Sequence, residues 1–205
     1  MKIQLIAAVA VMGLGMAGCA TREDVVPVPY KVHGGAQIGA GVHVTVTVND
    51  ARTTDRTKIA NKTNGYGMEM AAIRADRGVA DIVKDAFEAE LKSRGFAIGT
   101  GGSNATVAIN NFYGTFQSHL FSGDALGDVK FHVSVMSPAG ASAYDREVDV
   151  IGKLEGIQLA SGSNAATALS DGMSKALDTL FADPAFVAAL ENHGAEQASS
   201  SKAGS

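Results

Sequence analysis

From residue 42 the chain alternates strictly: Val42, Val44, Val46 and Val48 are separated by His43, Thr45, Thr47 and Asn49. A period of two sends the two sets to opposite faces of a pleated backbone, so this segment predicts a half-buried strand. Residues 51–66 are polar, and Asn64-Gly65 marks a turn before a second strand expected over Met68–Ile73. The spacing then changes. Val79, Val83, Ala86, Phe87 and Leu91 recur every three or four positions, and Gly95 stands where a helix ends in a left-handed residue, which predicts a helix over 78–94. The run Gly99–Asn104 is glycine-rich, but a loop that cradles phosphate opens a helix. Here Ala105, Val107 and Ile109 alternate as a strand, so the run is read as a turn.

Further along, Val129, Phe131, Val133 and Val135 form one strand face, and Val148, Val150 and Leu154 another, with a hairpin at Pro138–Ala141. Matching the apolar faces pairs Phe131 with Val148 and Val129 with Val150. The same register sets Lys130 against Asp149 and His132 against Glu147. A slip of one residue would put charges against apolar side chains, so the pattern pins the register. Ala166, Leu169, Met173, Leu177 and Leu180 then make a helical stripe, and Asp183-Pro184 opens a second short helix with Asp as N-cap. The expected fold class is α+β: a two-layer domain over 42–192, with a mainly antiparallel sheet of about four to five strands and helices packed on one face. The polar face would stay open to solvent.

The ends lack this periodicity. Residues 20–41 hold Pro27, Pro29 and four glycines, which reads as a flexible tether; 193–205 is Ser, Ala, Gly and charge, expected to be disordered. The first residues are different again. Lys2 precedes an apolar run from Ile3 to Met12, and small residues lead up to Cys19, as in a secretory signal. The run is shorter than the roughly 20 residues needed to span a bilayer. Met16-Ala17-Gly18-Cys19 resembles the bacterial lipobox. Residues 1–18 are therefore expected to be removed, Cys19 to carry acyl chains that hold the protein on a membrane, and 19–41 to link anchor and domain. Ala20, rather than Asp, after that cysteine favours the outer membrane over the inner.

Composition narrows the function. Loss of the signal removes one of 17 basic residues, Lys2, and none of the 21 acidic ones, so the formal net charge moves from −4 to about −5. That argues against a nucleic-acid partner, which requires a basic patch. One cysteine allows no internal disulfide and no zinc cluster. The five histidines are scattered without ligand spacing, and no metalloprotease, nucleophile-elbow or nucleotide-loop motif occurs. Glu88 and Glu90 point to different sides of a helix, and Asp145, Glu147 and Asp149 share a strand face with basic partners. No metal, no cofactor and no enzymatic activity are expected. The most distinctive internal string runs from Val46 to Arg56. Its polar members read either as a strand ending in a side-chain-capped turn or as a binding site built from Asp50, Arg52 and Arg56.

Several short strings together resemble the YajG family of bacterial lipoproteins. They are the lipobox, Val48-Asn49-Asp50-Ala51-Arg52, Leu91-Lys92-Ser93-Arg94-Gly95-Phe96 and Gly152-Lys153-Leu154-Glu155-Gly156, in an element order that runs over most of 14–192. The resemblance implies an envelope protein with an α+β domain and supplies no catalytic residues. The expected role is non-enzymatic: a lipid-anchored, periplasm-facing protein that binds or scaffolds an envelope partner. The alternative is a small-ligand or peptidoglycan-binding lipoprotein using the 51–66 loop.

Overall fold

The computed structural model describes residues 21–64 and 66–191. The signal, Cys19 and the tail expected over 193–205 lie outside the described residues. The strands are β1 (Asp24–Val26), β2 (His43–Asp50), β3 (Lys58–Thr63), β4 (Glu69–Ala75), β5 (Ala97–Ile98), β6 (Ser103–Ser118), β7 (Gly123–Met136) and β8 (Ser142–Ile157). The helices are α1 (Val79–Ser93), α2 (Gly162–Ala182) and α3 (Pro184–Glu191).

The organising element is β6, a strand of 16 residues. One of its edges pairs antiparallel with β7 along nearly its whole length. Its other edge is shared in series: β2 runs parallel to it from Ser103 to Ile109, and β3 joins it in the same direction at Gly114. Beyond β3 come β4, antiparallel, and β1, parallel to β4; β5 adds to β2, and β8 to β7. The sheet therefore has eight strands and is mixed, where four or five mainly antiparallel strands were expected. The difference has local causes. β3 is buried at Ile59, Ala60, Asn61 and Lys62 in succession, so it shows no alternation and lies hidden inside the polar 51–66 stretch. β1 and β5 are three and two residues long, too short to carry a period.

Where strands are long and one-sided, pattern and structure agree. Phe131 faces Val148, Val129 faces Val150, Lys130 faces Asp149 and His132 faces Glu147. The helix predicted over 78–94 is Val79–Ser93, closed by Gly95 at φ +91°. Phe96 N–H donates to the Leu91 carbonyl at 3.1 Å and Gly95 N–H to Lys92 at 3.0 Å, the paired bonds of a Schellman end. Asp183 caps α3, accepting the Ala185 amide at 2.9 Å.

The helices cover one face of the sheet and form one core with it, in which Phe87, Phe112, Phe131 and Phe186 are fully buried. Over β7 and β8 the approach of α2 is close enough to require glycine. A methyl group at Gly152 would overlap the Ala168 carbonyl and the Gly172 amide, and one at Gly127 the Ala168 carbonyl.

The segment expected to be a free tether is instead bound from residue 24 onward. Asp24 pairs with Ile73 and Val26 with Ala75 in the sheet. Val28 is 5% exposed, and the Ile38 and Gly39 amides both donate to the Arg94 carbonyl at 3.0 Å. The arm crosses from the sheet to the helices, meeting a different surface at each step. No single period describes such a path, and its prolines and glycines mimic a linker.

Candidate interaction surfaces

Asp50, Arg52 and Arg56 come together where β2 hands over to β3 along β6. Between Ile109, the last β6 residue paired with β2, and Gly114, paired with β3, the β6 backbone has no strand beside it on that edge. Ala51 N–H donates to the Ile109 carbonyl at 3.0 Å. The Arg52 guanidinium, on a residue 6% exposed, fills the rest of the gap. Its Nε donates to Asp50 Oδ1 at 2.8 Å, and Nη1 to the Phe112 and Lys58 carbonyls at 3.1 and 3.3 Å. Nη2 donates to Asp50 Oδ2 at 2.6 Å and to the Arg56 carbonyl. These bonds use the full donor set of a guanidinium. Burial opposes ionisation of Asp50, but the Arg52 bonds win and hold its carboxyl below the usual range. Arg56 is exposed, its Nε on the Arg52 carbonyl at 3.2 Å. The trio acts chemically as a splice between two collinear strands, with no guanidinium donor of Arg52 left over for a ligand.

The open sheet face carries the charged rows that the register places there. Lys130 Nζ lies 2.7 Å from Asp149 Oδ2 and 3.6 Å from Glu147 Oε1, and these bonds raise its pKa. His132 Nε2 meets Asp145 Oδ1 at 2.8 Å, a diagonal neighbour rather than the directly opposed Glu147. These groups are half-exposed, so solvent screens each pair and it adds little to stability. Their use is to present alternating charge. The free edge of β8 is partly occupied: Asp171 of α2 accepts the Lys153 amide at 2.8 Å, and Lys175 donates to the Ile151 carbonyl at 3.2 Å.

Two clusters were not visible in the sequence. The first holds the arm. Glu90, fully buried, accepts the Tyr30 hydroxyl at 2.5 Å, the His33 amide at 2.6 Å and Arg94 Nη1 at 2.9 Å. Arg94 stacks over Phe181, 4.2 Å from the ring centroid. Burial would raise the Glu90 pKa, yet the hydrogen bonds from Tyr30 and His33 and the charge of Arg94 hold it low. Burial, with the Glu90 bond, pushes the Tyr30 phenol well above its ordinary value. Glu90 and Arg94 are one helical turn apart, a visible ion-pair spacing, but Tyr30 stands 60 residues away.

The second cluster lies at the end of the sheet where β6 turns into β7. A cleft of about 320 Å³ opens there between Thr63, Phe116, Phe121, Ile157 and Leu159. At its rim Asp124 accepts Lys153 Nζ at 3.0 Å, His119 Nε2 at 3.3 Å and the Gly156 amide at 3.4 Å. Lys153, with lesser help from His119 and Gly156, holds the Asp124 carboxyl below its usual range, so it stays ionised at neutral pH and is not a proton donor there. Three separate connections build this cleft, and none carries a motif. Among the described residues no group of three or more His, Cys, Asp or Glu is placed to hold a metal ion.

A family model described as "Uncharacterized lipoprotein" matches residues 33–191. A crystal structure of a Xanthomonas campestris protein, assigned to the family model DUF330, superposes with a TM-score of 0.59 at 10% identity, covering 84% of this chain and 99% of that one. A second solved structure, of an uncharacterized protein, gives 0.51 at 9% identity over 78% and 95% of the two chains. A minor lipoprotein from Acinetobacter baumannii gives 0.39 at 6% identity over 68% and 92%. The first two share the fold with this chain. Among curated protein sequences none matches it. No helix among the described residues is long and apolar enough to cross a membrane.

Proposed function

The chain belongs to this family of uncharacterized lipoproteins, the YajG type that its sequence resembles, and from that premise we propose that it is cleaved before Cys19, acylated on that cysteine and held on the periplasmic side of the outer membrane, where it binds or scaffolds another envelope component without catalysing a reaction. The observation that carries the reading is the small-residue run Met16-Ala17-Gly18-Cys19 behind a short apolar segment, in a chain whose family is a lipoprotein family. Ala20 supports the outer membrane. Acylation confines the domain to a surface and raises its effective concentration for partners there.

A binding rather than catalytic role is supported by how the polar residues are used. Arg52, Asp50 and Glu90 are spent on internal bonds, which leaves the ligand-binding alternative at the 51–66 loop without support from its geometry. The surfaces left for a partner are the charged outer face of β7 and β8 and the cleft end.

The test is the intact mass of the protein recovered from its native membrane fraction. A chain beginning at Cys19 and heavier by two or three acyl groups, with the increment lost in Cys19→Ser, is expected. A mature chain without the increment, or one retaining residues 1–18, overturns the anchoring.

A further inference from the structure

We propose that the cleft end of the domain is a membrane-contacting surface, whose apolar loop tips enter the bilayer beside the anchor; this rests on acylation at Cys19 as read above.

The strand directions place several features at one end. β3 and β6 run the same way, so the β3–β4 hairpin and the β6–β7 connection share that end, as does the link from β8 into α2. The cleft, which Thr63, Phe121 and Leu159 all line, joins the three connections directly. The chain enters at the same end. β1 is parallel to β4 with Asp24 opposite Ile73, and Lys62, opposite Ala71, donates to the Arg22 carbonyl at 2.9 Å. The Asp24 carboxylate also bonds Lys62 Nζ at 2.8 Å and accepts the Gly162 amide of α2 at 3.0 Å. Arg22 is thus fixed close to the β3–β4 turn.

Arg22 is three residues beyond Cys19, and three residues reach at most roughly 10–11 Å when fully extended. A tether running to residue 41 would let the domain turn freely above the membrane. With the arm docked from residue 24, the leash is too short for this end to move far from the acylated cysteine.

The side chains at this end suit that position. The most exposed large apolar residues among those described are Tyr66 at 91%, Leu120 at 87%, Phe121 at 86% and Leu159 at 74%, and all four sit on these connections, with Met68 beside Tyr66 at 58%. Such residues on adjacent loop tips cost solubility without adding to the core, and apolar exposure concentrated in one place marks an interaction surface. Tyr and Phe are side chains that settle at a membrane interface. The opposite end, at the Ser137–Ala141 hairpin, has no comparable residue: Met136, the nearest large apolar side chain, is 37% exposed.

The chain lacks tryptophan and has one cysteine, which makes the test direct. The chain from Cys19 onward is coupled through that thiol to maleimide-headgroup lipid in phosphatidylethanolamine–phosphatidylglycerol vesicles, with Phe121→Trp or Ala139→Trp as the sole tryptophan. Interfacial side chains reach roughly 5–10 Å into the headgroup–acyl boundary. Phe121→Trp is therefore expected to shift to the blue and lose about half its emission to brominated acyl chains, a depth that residue would share with other interfacial groups. Ala139→Trp, at the far hairpin, is expected to stay unquenched. An unquenched Phe121→Trp overturns the proposal and leaves the apolar end for a protein partner; equal quenching of both reporters overturns the orientation. Because coupling is chemical, the outcome does not depend on whether cells acylate Cys19, which the intact mass reads separately.

Discussion

At the scale of single residues, the instructive case is Arg52. Its position after a strand, with Asp50 two residues before it, fits either a capped turn or a ligand site, because both need a carboxylate beside a guanidinium. The deciding contact is with the Phe112 carbonyl, 60 residues away, which no local pattern reveals. Replacing Arg52 by Ala strands the Asp50 charge and leaves backbone carbonyls without donors. The expected loss is about 3–5 kcal/mol of stability, as for other buried pairs broken from one side, read as a lowered midpoint in urea. Arg56→Ala, on an exposed side chain, is expected to change stability by no more than about 0.5 kcal/mol. Equal, small effects from both would mean that the junction is not a splice.

At the scale of elements, the arm and α1 are held together by Glu90. Its carboxyl is kept below the ordinary range of about 4.3, so the stabilisation is complete above that range and is lost as pH falls through the lowered folded value. The protection of residues 30–41 against hydrogen exchange, taken relative to the intrinsic rate at each pH, should therefore fall in acid. In Glu90→Gln, Arg94 loses its charged partner, so exchange there is expected to be faster already at neutral pH, by about tenfold for a loss near 1.4 kcal/mol. It should also lose most of its pH response below the carboxylate range. An arm whose exchange is indifferent to both changes is not held by this cluster. The long elements need no such remote support for their prediction. β7 and β8 alternate over many residues with charges on one face, so only one register buries the apolar set, and that register is observed. β3, buried at four successive positions, has no polar face to betray it.

At the scale of the whole molecule, the arm changes what the domain is. A chain beginning at residue 42 would lack β1 and the burial of Val28, and Glu90 would lose the Tyr30 hydroxyl. Losing the buried Val28 and the half-buried Tyr30 side chains, at roughly 1.5–3 kcal/mol each at most, should lower Tm by up to about 6–24 °C for a chain of this length. Were residues 20–41 a loose linker, thermal unfolding of the two chains would coincide. The same docking shortens the leash to the proposed anchor at Cys19, so a question of stability and one of orientation have a common origin.

Local order along the chain was enough to determine the register of β7 on β8, the Gly95 and Asp183 helix ends, and an α+β class. Each depends on neighbours within a few residues, or on a period that repeats often enough to be read. Tertiary structure alone decided that β2 and β3 share one edge of β6, that Glu90 gathers an arm from 60 residues away, and that three connections meet beside the chain's point of entry. Those features arise from contacts between segments distant in sequence, and each partner taken singly carries a residue type that would be equally at home in an ordinary turn or on a solvated surface.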